Sequence, residues 1–146
     1  MTDGREVAAT TGPVGYALAQ AARAHRAEMQ ERIAGLGLHV GQELLIIDIH
    51  HHPDTTQGEL VQRIGIEQPT IARALSRMQR TGFVQRFPDP DDRRVIRLRL
   101  TERGAAVVKD VLGAWTGLES RSTAELSDSE VAQLTSLLNK IRDNLT

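Results

Sequence analysis

Residues 54–104 read DTTQGELVQRIGIEQPTIARALSRMQRTGFVQRFPDPDDRRVIRLRLTERG, and the fold turns on the change of period within this stretch. Up to Arg80 the apolar residues recur at helical spacing, first Leu60, Val61 and Ile64, then Ile71, Leu75 and Met78. Thr56-Gln57-Gly58-Glu59 is a capping-box pattern, in which the Thr hydroxyl and the Glu carboxylate satisfy backbone donors left free at a helix start. Gly65 and Ile66 make a turn, Gln68-Pro69-Thr70 opens a second helix with proline in its first turn, and Gly82 closes it. Two short helices joined by a tight glycine turn form a helix-turn-helix. Beyond Gly82 the period becomes two. Ile96-Arg97-Leu98-Arg99-Leu100 alternates, Phe83 to Phe87 offers a partner strand, and the turn-rich loop from Pro88 to Arg94 joins them into a hairpin.

Working outward, Pro13 begins a helix that runs to about Gly35, with the stripe Val14, Leu18, Ala21, His25, Met29, Ile33 and Leu36. From Val40 to His51 the chain is apolar on nearly all sides, which predicts a central buried helix. Thr101 caps a long helix carrying Val108, Val111, Trp115 and Leu118, and Ser127-Asp128-Ser129-Glu130 is a second capping box ahead of Val131, Leu134, Leu137, Leu138, Ile141 and Leu145. The expected fold is mainly α with a small β-hairpin wing: one domain over residues 1–146, with a winged helix-turn-helix at 54–104. The stripes at 13–36 and 105–146 exceed what one small module covers, so they are read as N- and C-terminal dimerisation helices.

Composition narrows the function. The 40% apolar and 25% charged content of the 146 residues is that of an ordinary globular chain, and no apolar run approaches the roughly 20 residues that span a bilayer. The N-terminus is polar, without the apolar core of a signal peptide, so a cytoplasmic protein is expected, nucleoid-associated when on DNA. With no cysteine there is no disulfide, thiolate nucleophile, Cys-type zinc site or thiol switch. The net charge of −1 conceals an asymmetry. Residues 59–104 carry ten arginines against six acids, a net of +4, while the remainder nets −5. Arginine's planar fork suits phosphates and guanine edges. No nucleophile elbow, P-loop, dinucleotide fingerprint or H-E-x-x-H motif occurs, so neither catalytic residues nor a cofactor are assigned.

Asp92-Arg93-Arg94 followed by Leu100-Thr101-Glu102-Arg103-Gly104 matches the D-x-R wing, strand and L-T-x-x-G of MarR-family transcriptional regulators, and Gly65 to Thr70 supports the match. On these residues the chain resembles that family, over roughly Val14 to Leu145. The resemblance implies a homodimer with interlocked terminal helices presenting two winged lobes to double-stranded DNA. It places Gln68, Pro69, Thr70, Arg73 and Arg77 on a helix in the major groove and Arg94 in the minor groove beside Arg93. Asp92 would hold the wing or orient Arg94. Thr56 and Gln57 sit at a helix start that favours a phosphate. A twofold dimer calls for an inverted repeat with half-sites about 10 bp apart. In related proteins a small aromatic or phenolic effector binds between the dimerisation helices and the lobe, here near His25, Met29, Ile33, Leu44 and Trp115, and releases a repressor from its operator.

Plainer readings stand beside these. Arg97 and Arg99 lie on the polar face of a strand and are expected to be solvated or near phosphates, with Arg93 similar; Asp89 and Asp91 are expected to be turn formers, and Trp115 packing. His50, His51 and His52 point about 100° apart on a helix and cannot share one ion, so no metal site is assigned. His25, on an apolar stripe, needs a partner, and His39 caps a helix start. The alternatives to a DNA-binding regulator are a metal-responsive one using His and carboxylate ligands, or a winged-helix protein-interaction module without DNA binding.

Overall fold

A computed structural model describes residues 3–146. Its elements run α1 (Gly4–Thr11), α2 (Pro13–Ala34), α3 (Gln42–His51), β1 (Thr55–Thr56), α4 (Gln57–Ile64), α5 (Gln68–Arg80), β2 (Val84–Pro88), β3 (Ile96–Leu100), α6 (Glu102–Ala106), α7 (Val108–Ser122) and α8 (Asp128–Leu145). The fold is thus mostly helical with a small antiparallel sheet of order β1-β3-β2. The hairpin register sets Arg86 opposite Leu98 and Val84 opposite Leu100; of the apolar residues of β3, Leu98 is buried, Leu100 is half-buried and Ile96 is exposed.

Three elements differ from expectation. The polar segment before Pro13 forms α1, started by the Asp3 carboxylate accepting from the Arg5 backbone N–H. Thr55 and Thr56 add a strand to the wing by pairing with Leu98 and Arg97. The helix after Thr101 breaks at Val107 into α6 and α7, although Thr101 caps its start as expected by accepting from Gly104 N. Both capping boxes form, Thr56 with Glu59 and Ser127 with Glu130. Gly65 turns the chain between α4 and α5 at φ 71°.

The core lies where α2, α3, α5, α7 and the sheet meet, and includes Met29, Ile33, Leu45, Ile46, Ile49, Ile71, Leu75, Phe83, Leu98 and Val111. Gly104 is buried so closely under Phe83 that a Cβ there would lie 2.2 Å from the Phe83 carbonyl oxygen. α3 is the central buried helix, but its first turn also buries Gln42 and Glu43. Their side chains accept from His39 N and Gly41 N, and so fasten the loop before the helix. At the chain's ends the picture reverses. α1 and α8 contain no buried residue, and Leu134, Leu137 and Leu138 are each at least 40% exposed.

Candidate nucleic-acid interface

α5 buries Ile71, Leu75 and Met78, and this single apolar face fixes which side of the helix looks outward. Gln68, Pro69, Thr70, Arg73, Ser76, Arg77 and Arg80 are all exposed. Among the described residues Arg73, Arg77 and Arg80 enter no ion pair, so their charge faces outward uncompensated. A concavity of about 610 Å³ beside the helix is floored by Leu45 and Ile71, rimmed by Arg73 and Arg77, and bounded by His39 and Val40 from the loop before α3.

α4 stands next to α5 and is anchored at its start. Thr56 accepts from Glu59 N at 3.2 Å, and the Glu59 carboxylate accepts from Thr56 N at 2.9 Å and from the Thr55 hydroxyl at 3.0 Å. The Thr56 backbone bond leads the interactions that hold the Glu59 carboxyl below its ordinary pKa. Thr56 and Gln57 are half-buried at this terminus. Arg63, at the other end of α4, donates to both Asp48 oxygens and to Thr55 Oγ1 at 2.8 Å, which braces α4 against α3 and β1.

The wing loop is built around two aspartates. Asp92 accepts from Arg94 N at 3.1 Å, and its two oxygens take Arg94 Nε and Nη2 at 3.0 Å each. That fork holds Arg94 while its side chain stays 90% exposed, and it lowers the Asp92 pKa. Asp89 is buried and accepts from Asp91 N at 2.7 Å and Asp92 N at 3.0 Å, the turn-forming role expected of it. Arg93 is exposed.

Arg97 departs from the sequence reading, while Arg99 is exposed as expected but has a partner. Neither is free. Arg97 pairs with Asp89 and donates to the Asp54 carbonyl at 2.9 Å, while Arg99 pairs with Asp54 Oδ1 and lies 4.7 Å over the Phe87 ring. Asp54, the partner the sequence did not indicate, adopts φ 65°, a left-handed conformation that Asp tolerates better than most residues. The Asp89 pKa is lowered, with Arg97 as the largest cause.

Of the five effector residues, His25 and Trp115 stand side by side. The His25 and Trp115 rings lie 5.8 Å apart, and the Trp115 Nε1 hydrogen is enclosed with no acceptor among the described residues. Met29 and Ile33, by contrast, are filled core positions at 1% and 0% exposure, and Leu44 is half-buried on α3. A groove of about 930 Å³ between α2, the end of α7 and α8 takes in only His25 of the five. Among the described residues no group of three or more His, Asp or Glu is placed to hold a metal ion, and no helix is long and apolar enough to cross a membrane.

Residues 39–96 match the model of the MarR family. The chain superposes on a MarR variant from E. coli complexed with operator DNA, with a TM-score of 0.83 and 25% identity over 96% of this chain and 99% of that one. The transcriptional regulator SlyA gives 0.82 and 25% over 90% of this chain and 93% of its own. A probable transcriptional regulator from Pseudomonas aeruginosa gives 0.79 and 27% over 88% and 96%. The chain thus carries a MarR-family domain at its centre and has the fold of these transcriptional regulators along nearly its whole length.

Proposed function

We propose that the protein is a repressor that binds a pseudo-palindromic operator as a homodimer and is released by a small, phenolic or otherwise aromatic, effector. The observation that carries the DNA reading is the outward face of α5, where Arg73, Arg77 and Arg80 stand exposed, with no ion pair among the described residues, beside a wing whose Arg94 is already held in place. A helix fits the major groove and reads its donor and acceptor pattern, and an arginine in the minor groove reads width and potential. In this reading Gln68, Pro69, Thr70, Arg73 and Arg77 meet bases and phosphates, Thr56 and Gln57 meet a phosphate at the start of α4, and Arg93 and Arg94 contact DNA from the wing with Asp92 as support. The operator DNA bound by the E. coli relative supports the same partner. Such a protein works in the cytoplasm, on the nucleoid.

The exposed leucines of α8 and the apolar walls of the groove along α2 support dimerisation through 13–36 and 105–146, because a stripe of this size needs a cover that its own chain does not supply. The enclosed Trp115 N–H beside His25 supports an effector site there, since a buried donor without an acceptor favours any ligand that provides one. The effector acts only as far as it prefers a lobe spacing that misses the half-sites.

In vitro selection from random duplex DNA tests the reading. The expected product is an inverted repeat with half-sites about 10 bp apart. Arg94→Ala is expected to weaken binding to it by about 1 to 3 kcal/mol without loss of folding. A pool that stays random at low salt overturns the reading.

A further inference from the structure

Arg94 hangs at the tip of a hairpin, and a chain of bonds runs from it back to the body of the lobe. Arg94 is forked onto Asp92. The Asp92 backbone N–H, with that of Asp91, donates to Asp89 Oδ1. The other oxygen of Asp89 takes Arg97 Nε, and Arg97 Nη1 donates to the carbonyl of Asp54, whose own N–H bonds Leu98 O at 3.0 Å at the foot of the wing. Asp89 also closes the loop through its main chain, with its N–H on Val95 O at 2.8 Å. The Asp89 and Arg97 side chains are 11% and 32% exposed, so the carboxylate is largely covered while Arg97 is only partly so, with its fork committed to Asp89 and Asp54.

We propose that Arg97 and Asp89 are positioning residues for Arg94. They set the angle of the wing tip and so where Arg94 enters the groove, while touching no DNA themselves. Arginine is required at position 97 because one rigid fork reaches two acceptors on different segments, which a lysine point charge does not do. The inference rests on the DNA-binding reading above.

A double-mutant cycle on the selected operator tests it. Arg97→Ala alone is expected to lower affinity about three- to tenfold, the range of a coupled pair. Placed in an Arg94→Ala background it is expected to change affinity less than twofold, because the group it aims is gone. Arg97→Lys is expected to lose as much as Arg97→Ala, and a matched thermal midpoint for the Lys protein shows the loss is not unfolding. A threefold or larger loss from Arg97→Ala in the Arg94→Ala background, or full affinity in Arg97→Lys, shows that Arg97 acts directly on the phosphates and overturns the inference alone. Full affinity in Arg94→Ala itself overturns the wing reading and this inference with it.

Discussion

The middle of the chain and its ends solve the problem of apolar surface in opposite ways. Between Thr55 and Gly104 the helix faces and the sheet are covered by a core shared with α2, α3 and α7: Leu60, Ile71, Leu75, Met78, Phe83 and Leu98 are buried, and Arg63, Arg97 and Arg99 are tied to carboxylates. α8 is amphipathic too and has a complete capping box, yet leaves Leu134, Leu137, Leu138 and Leu145 in the open. Local signals make a helix; only packing keeps it. The middle of the chain is therefore covered by its own neighbours, and the apolar stripe of α8 is left exposed.

Truncation before Ser127 sharpens the contrast most. It removes the whole exposed stripe, so sedimentation is expected to find a monomer, and the lobe's near-identical chemical shifts are expected to persist. A truncated protein that remains a dimer places the interface elsewhere. Gly104→Ala breaks the other side of the comparison. Its Cβ meets a carbonyl oxygen at 2.2 Å that belongs to backbone and cannot move aside, so denaturant unfolding is expected to show a loss of about 2 to 4 kcal/mol. The smallest effect is that of acid. Asp89 and Asp92 titrate below the ordinary carboxylate value in the folded lobe. Their contribution is therefore present in full above the unfolded value of about 4 and is lost as pH falls through the lower folded one. Between about pH 5 and 3 the thermal midpoint of Asp89→Asn is expected to fall less steeply than that of the parent, and equal slopes refute the wing network's share.

What the sequence disclosed follows the range of each interaction. Thr56 with Glu59 and Ser127 with Glu130 are three residues apart, so their boxes are legible as short patterns. The outward face of α5 is legible because one apolar stripe fixes the other side of a helix. β1 is not: two threonines have no period, and their partners stand more than forty residues ahead. Arg97 reads as a free strand arginine for the same reason, since Asp89 lies across a hairpin and Asp54 beyond two helices. The effector set meets a different limit. Helix periodicity puts His25, Met29 and Ile33 on one face but does not say where that face stops lining a groove and becomes core.

Thr55 and Leu98 are register partners, so the segment that enters the lobe and the segment that leaves it lie side by side. This gives the lobe a single doorway, whose entry and exit are held at the spacing of paired strands. Arg63 on Asp48 and the packing of β3 against α3 fasten that doorway to the body of the protein, so the orientation of the wing is set from α3.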